Sequence, residues 1–350
     1  MSIFALKQKL AQGLGVVTDL DQKLTARKDR YIFAYHRVIT EQQAKADGAH
    51  NAMWISPKRF VQQIQWMRSI GEIVDFARIL NTDLPNDRPW FALTFDDGWK
   101  DNYEQAFPIL KNHQVPAVIF LATNAVNNGT LFWPEDISTK IRHFLNNHTE
   151  IQVQKALIDY WPGTGFDKRA YKVNVMEMVE GWIDKLKFVS EVERQQRIND
   201  CYKRLELSNT PLQGYIMSWD ESREMLKYGV KFGSHTHNHT ILKGLPENLI
   251  ESELRRSKKT ITEKLQVEVD SFCYPNASYN EKEGVLLARC GYRYGFCLNN
   301  RTLRHCTDSY YIPRFLVSER LTATPAYFNL RLLEVPLFCP RRYNPKSKWS

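Results

Sequence analysis

The sequence predicts an α/β protein built on a parallel sheet, open or closed into a barrel, and three observations predict it. From residue 31 onward, short apolar runs alternate with amphipathic stretches, the rhythm of repeated strand–helix units. The apolar runs are continuous rather than alternating, as in strands buried on both faces. The acids and histidines suited to chemistry stand at the ends of such runs, where parallel α/β folds collect reactive groups.

The elements follow in order. Residues 31–35 read as a first buried strand. Ser56-Pro57 opens a helix, a capping residue followed by proline at the first helical position, and Gly71 follows its end. Residues 91–95 are a second strand, succeeded by an amphipathic stretch through Leu110, and residues 115–122 are a third. The rhythm breaks at Asn127-Asn128-Gly129. Residues 127–215 are polar and helix-rich, with no clear strand, and are expected to be an insertion or lid. Ser218 and Glu221 stand three apart ahead of a helix, as in a capping box, and Gly229 ends it. A strand over 230–234 then runs into a histidine cluster. A helix over 247–265, a strand over 271–274, a helix over 281–290 and a strand over 292–297 complete the pattern. The expected organisation is an amphipathic, basic segment over 1–30, a barrel over 31–126 and 216–320, the insertion, and a basic tail over 321–350.

Composition limits the partners. The 350 residues include 48 Lys and Arg against 39 Asp and Glu, a net charge of +9, which favours acidic partners. Part of the excess sits at the ends: six basic against three acidic residues in 1–30, five against one in 331–350. No nucleic-acid-binding module accompanies it, so a nucleic-acid partner is not expected. The six cysteines, Cys201, Cys273, Cys290, Cys297, Cys306 and Cys339, form no C-x-x-C pair and read as reduced, mostly buried thiols. Lys7, Gln8, Lys9 and Gln12 interrupt every early apolar run, so no secretory segment is expected there and a cytoplasmic address follows. Ile3, Leu6, Leu10, Leu14 and Val17 recur at helical spacing. That stripe either docks on the protein's own core or lies on an anionic membrane surface, at its inner face.

Two motifs carry chemistry. Thr94-Phe95-Asp96-Asp97-Gly98 ends a strand, and adjacent carboxylates repel unless a cation or their surroundings separate their roles. Gly98 supplies the freedom for a turn that brings both acids to one cavity. His235-Thr236-His237-Asn238-His239 holds three of the nine histidines within five residues. If the segment turns helically, His235 and His239 share one face, suited to binding one metal, and His237 points elsewhere. Two imidazoles and a carboxylate leave positions open for water and substrate.

Together these motifs strongly resemble the polysaccharide deacetylases of the NodB-homology class, carbohydrate esterase family four, over residues 31–126 and 216–320. The resemblance implies a distorted (β/α) barrel. It makes Asp96 the catalytic base and Asp97, His235 and His239 the ligands of a divalent metal, with zinc the expected ion. The segment 271–279 is similar to the family's third motif, with Asn276 and Ala277 where Tyr and Gly are common, and with no arginine at Cys273. The backbone N–H after Pro275 is then the expected oxyanion donor, at Asn276. Ile312-Pro313-Arg314-Phe315 resembles a late I-P-R segment of one branch, and Arg314 is expected to orient Asp96. The family's late histidine is absent. Tyr35-His36-Arg37-Val38 resembles the early segment of the branch that uses an N-terminal histidine, which makes His36 the expected general acid.

Trp99, Trp133 and Tyr274 are expected substrate contacts, since flat apolar rings match the C–H faces of sugars. The expected activity is metal-dependent removal of N-acetyl groups from amino sugars of a polysaccharide or glycolipid. The alternatives are the same chemistry on lipid-linked sugar or lipopolysaccharide precursors at the inner membrane face, and a catalytically silent carbohydrate-binding protein.

Overall fold

The computed structural model describes residues 6, 7, 9–13, 19–81, 83–158, 175–335 and 338. The chain divides into two compact units: residues 1–40, 51–129 and 215–350 form the first, and residues 41–50 and 130–214 form the second.

The first unit is a parallel barrel. In chain order its strands are β1 (Arg30–Tyr35), β2 (Arg37–Val38), β3 (Trp54–Ile55), β4 (Glu72–Ile73), β5 (Trp90–Asp97), β6 (Ala117–Leu121), β7 (Val230–Ser234), β8 (Ser271–Cys273), β9 (Tyr294–Leu298) and β10 (Ile312–Leu316). β1 pairs with β5 on one side and β10 on the other, so the ring β1-β5-β6-β7-β8-β9-β10 closes. β4 lies outside the ring, paired with Trp90 and Phe91 of β5, and β2 pairs with β3 in a separate ribbon.

Strand side chains alternate between faces. Ile32, Trp90, Ala92, Val118, Phe120, Cys273, Phe296 and Ile312 share the inner face and pack as one cluster with Phe76 and Ile79. The outer face carries Phe33 and Tyr35, whose rings meet Phe328 at 5.6 Å and Phe60 at 5.2 Å. Both faces are therefore covered, and every residue of β5 is buried. Burial of each such ring contributes about 1.5–3 kcal/mol. The same parity places Thr94, Asp96 and Arg314 on the inner face, beyond the apolar layer.

β10 is additional to the strands predicted from the sequence, and it carries a proline, which central strands seldom hold. Pairing with β1 begins only at Phe315, past Pro313, which lies opposite Cys297 of β9. The helices at Pro57–Ile70 and Trp219–Leu226 start as the sequence predicts: Ser56 Oγ accepts from the Arg59 N–H at 3.3 Å, and Ser218 and Glu221 form a capping box. The amphipathic stretch after β5 is a π-helical turn, Asn102–Ala106, continued by the α-helix Phe107–Asn112.

The ends differ from expectation. The segment after residue 320 is not simply a basic tail: the helix Pro325–Leu332 buries Tyr327, Phe328, Leu330 and Leu332 in the first unit. Arg331, counted among the tail's charges, is itself buried and bonds Asn300 Oδ1 at 2.6 Å. Of the N-terminal stripe, Leu6 and Leu10 are 46% and 48% exposed, while the neighbouring Ala11 packs with Leu20, Tyr327 and Leu330. Ile3, Leu14 and Val17, the thiol of Cys339 and the basic residues from 341 onward lie outside the described residues.

The second unit is helical. Among the described residues its helices are Glu41–Asp47, Trp133–Leu145, Glu150–Ile158, Val175–Leu186 and Glu191–Arg204, around a core that includes Ile137, Ile141, Val179, Trp182 and Tyr202. Two features depart from the expected insertion over 127–215. Asn127 and Asn128 close a helix of the first unit, capped by Gly129 at φ +64°, so the boundary falls three residues later. Glu41–Asp47 joins from far away in sequence, its Asp47 carbonyl accepting from Thr139 Oγ1 at 2.9 Å. Among the described residues, no helix is long and apolar enough to cross a membrane.

Candidate active site

The two adjacent acids take different roles because the backbone changes direction between them. Asp96 follows the inward parity of β5, whereas Asp97 has φ +80° and Gly98 φ +85°. A Cβ on Gly98 would lie 2.8 Å from Leu121 Cδ2, and its φ of +85° favours glycine.

The histidine segment is not the helical turn expected. It is irregular, curled by Thr236 at φ +65° and His239 at φ +56°. A β-branched residue in that region is strained and needs fixing by its surroundings. Thr236 Oγ1 accepts from the Thr240 N–H at 2.9 Å, and the Thr236 and His237 carbonyls accept from the N–H groups of Thr123 and Asn124. The curl, rather than a helix, brings the two imidazoles together, with ring centroids 4.9 Å apart. His235 Nε2 lies 3.4 Å and His239 Nε2 3.2 Å from the same oxygen, Asp97 Oδ1. His235 Nδ1 sits 2.8 Å from the Cys273 carbonyl, which keeps a proton on Nδ1 and turns Nε2 toward Asp97. His237 points away, between Thr123 Oγ1 at 2.8 Å and Arg256 Nη2 at 2.9 Å.

Asp96 is held from β10, two strands away around the ring. Arg314 Nη1 and Nη2 reach Oδ1 and Oδ2 at 2.8 Å each, a bidentate pair, and Nη1 also donates to Thr94 Oγ1 at 2.8 Å. His36, next in inward parity after Ile32 and Ala34, brings Nε2 to 3.8 Å from Asp96 Oδ2. Cys273 completes the group, its thiol 3.6 Å from Asp96 Oδ2 and 2.8 Å from Arg314 Nη2. The sequence marks Cys273 only as a missing arginine; its inward position beside Asp96 is signalled by strand parity alone.

The electrostatics separate the groups. Burial alone would raise the Asp96 carboxyl, but the charge and hydrogen bonds of Arg314 outweigh it and hold the group below the usual carboxylate range. Burial opposes ionisation of Asp97 too, and bonds from His235 and His239 hold it well below that range. Burial depresses His36 despite both carboxylates. Burial also pushes the Cys273 thiol far up, so it is neutral.

Three expected substrate contacts need correction or separate description. Trp99 is 2% exposed, its Nε1 donates to Asp97 Oδ2 at 2.9 Å and Arg37 covers its ring, so no face is open to a sugar. Tyr274 is likewise 2% exposed; its ring stacks on Tyr311 and its hydroxyl donates to the Tyr310 carbonyl at 3.1 Å. Both are too well buried to act as platforms. Trp133 belongs to the helical unit, where it packs partly on that core under Arg194. Asn276 is exposed on the turn Pro275–Ala277 directly after β8, with φ +55° at Asn276 and +51° at Ala277. The turn thus keeps the left-handed backbone that a glycine would favour.

Asp97, His235 and His239 offer one oxygen and two nitrogens, all within 4.8 Å of one another, with a backbone anchor behind His235. This donor set fits a divalent transition-metal ion. Asp96, His235 and Cys273 also converge within 4.8 Å, but the Arg314 guanidinium bonds both Asp96 and Cys273 there and repels a cation.

The model of the polysaccharide deacetylase family matches residues 83–295, more than half of the chain. The chain belongs to that family. The match takes in Asp96, Asp97, His235, His239 and Asn276, while His36 and Arg314 lie outside it, on or beside the strands that close the barrel. The poly-β-1,6-N-acetyl-D-glucosamine N-deacetylase of Staphylococcus aureus is 28% identical over 113 residues, 30% of this chain and 39% of that protein. The match therefore spans about two fifths of that relative. Two solved structures share the fold. IcaB from Ammonifex degensii has a TM-score of 0.53 at 18% identity, covering 86% of this chain and 97% of its own. The Streptococcus pyogenes deacetylase PplD, solved with acetate, has a TM-score of 0.52 at 17% identity, covering 85% and 96%.

Proposed function

We propose that this chain is a divalent-metal-dependent N-deacetylase of a polysaccharide built from N-acetylated amino sugars. One observation carries the reading: two neighbouring carboxylates with different partners, Asp96 gripped by Arg314 and Asp97 facing two imidazoles. A carbohydrate-binding protein without catalysis has no use for a metal site beside a second, arginine-held acid. The Staphylococcus aureus relative makes a β-1,6-linked N-acetylglucosamine polymer the first substrate to test. A lipid-linked amino sugar is the second, favoured by the net charge of +9.

Asp97, His235 and His239 hold the cation, and zinc is the ion of choice. When bound, it supplies Lewis acidity to the acyl carbonyl and lowers the pKa of water. Asp96 takes the proton of the attacking water as general base, aimed by the two bonds from Arg314. The backbone N–H of Asn276 donates to the developing oxyanion. His36, 3.8 Å from Asp96, takes up the proton that Asp96 accepted and gives it to the departing amine as the C–N bond breaks. The products are acetate and a free amino sugar.

Acetate release is the test. Metal-loaded protein is incubated with β-1,6-linked N-acetylglucosamine oligomers, chitin oligomers and lipid-linked N-acetylated sugars, with and without chelator. Release from at least one, abolished by chelator, is expected. No release from any of them sinks the reading.

A further inference from the structure

Trp99 touches the site from a direction that the proposed chemistry does not use. Asp97 presents Oδ1 to both histidines and Oδ2 to the Trp99 indole N–H at 2.9 Å. An indole nitrogen donates and cannot accept, so this contact has one sense only. The indole is itself held. The Arg37 guanidinium lies 4.5 Å from its ring centroid, and Arg37 Nε is paired with Asp101 Oδ2 at 2.8 Å. Asp101 Oδ1 accepts from the Val38 N–H at 2.8 Å, and both partners of the ion pair are less than a tenth exposed. The backbone around Trp99 is pinned as well: the Met217 N–H donates to the Gly98 carbonyl at 3.0 Å and the Lys100 N–H to Tyr215 at 2.7 Å.

We propose that Trp99 is a positioning residue for Asp97, holding Oδ2 so that Oδ1 alone faces the cation, with the Arg37–Asp101 pair fixing the indole. The need is physical. Asp97 sits at φ +80°, outside the comfortable range of a non-glycine residue, and its carboxylate is otherwise able to rotate or to offer both oxygens. A buried donor on one oxygen removes that freedom before any ion arrives. The inference rests on the reading of Asp97 as a metal ligand, and its test separates the two.

Zinc dissociation constants are measured on the full chain by competition with a chromophoric chelator, alongside melting temperatures of the metal-free proteins. Wild type is expected to bind one zinc, and Asp97→Ala to lose it. Trp99→Phe keeps the ring under Arg37 and loses only the N–H. It is expected to bind zinc about 10–100-fold more weakly, the usual effect of losing a group that orients a ligand. Cobalt-loaded Trp99→Phe is expected to show weaker visible bands, because a freed Oδ2 raises the coordination number. A merely structural tryptophan lowers the melting temperature without moving the dissociation constant, and that result overturns the proposal. If wild type binds no zinc, the metal reading itself falls and this inference with it. If Asp97→Ala loses zinc while Trp99→Phe binds like wild type, the inference alone falls. Should Trp99→Phe fail to fold, Arg37→Lys, which removes the planar cation from the ring, carries the test. Weaker zinc binding is expected of it, and unchanged binding overturns the proposal.

Discussion

Arg314 meets Asp96 with two parallel hydrogen bonds of 2.8 Å, and neither side chain is more than 2% exposed. β10 supplies the cation and β5 the acid, and β1, which leads into His36, lies between them in the ring. The charge pair is therefore made by closure of the barrel.

Removing one half of a buried pair leaves an uncompensated charge. Arg314→Met is expected to cost about 3–5 kcal/mol of stability, read by urea unfolding, whereas pairing it with Asp96→Asn should recover much of that loss. Additive losses in the double variant would mean that the two side chains do not depend on each other.

The two acids should separate cleanly. Asp96→Asn is expected to lower acetate release by about 10²–10⁴-fold, the usual worth of a general base, with zinc still bound. Asp97→Asn should release the zinc. Metal analysis of both purified variants decides, and loss of metal from Asp96→Asn would show that the roles are reversed.

Chelation should be reversible. Dialysis against a chelator is expected to abolish turnover while far-ultraviolet circular dichroism stays unchanged, because the barrel is held by its own core. Zinc or cobalt should restore it. Turnover that survives thorough removal of metal, checked by elemental analysis, contradicts the metal reading.

Glu283 gives a pH signature away from the site. It closes the capping box at Asn280 and is fully buried, which pushes its carboxyl up to about 7. Between the ordinary carboxylate value and about 7 the folded chain holds a proton that the unfolded chain has lost. This contribution is full below that window, falls as pH rises through it and is gone above it. Glu283→Gln should flatten the fall, measured as melting temperature between pH 5 and 8 in steps of about half a unit. A wild-type curve that rises through the same range counts against it.

Much of this was legible in the residues. Continuous apolar runs predicted strands covered on both faces, and β1, β5, β6, β7, β8 and β9 formed within a few residues of their predicted positions. The caps at Ser56 and Ser218 predicted helix starts, because capping is a local matter of a side chain and nearby N–H groups. Asp96, Asp97, His235 and His239 stood out because two short motifs held them.

Other features were not legible. Pro313 disguised β10, which needs no N–H from that residue toward β1. Thr236 and His239 curl the histidine segment through left-handed backbone that spacing cannot announce. Trp99 and Tyr274 read as exposed rings because burial is invisible one residue at a time. Helix Glu41–Asp47 joins the helical unit across some ninety residues of sequence.

By itself the sequence determined the strand rhythm, the caps and the identity of the ionisable groups, since each depends on periodicity or on neighbours within a few residues. Only the tertiary structure decided which of those groups meet. Arg314 lies 218 residues from Asp96, and Cys273 lies 177 from it. The physical reason is that a closed parallel sheet brings strand ends together by register and parity, which no local spacing encodes.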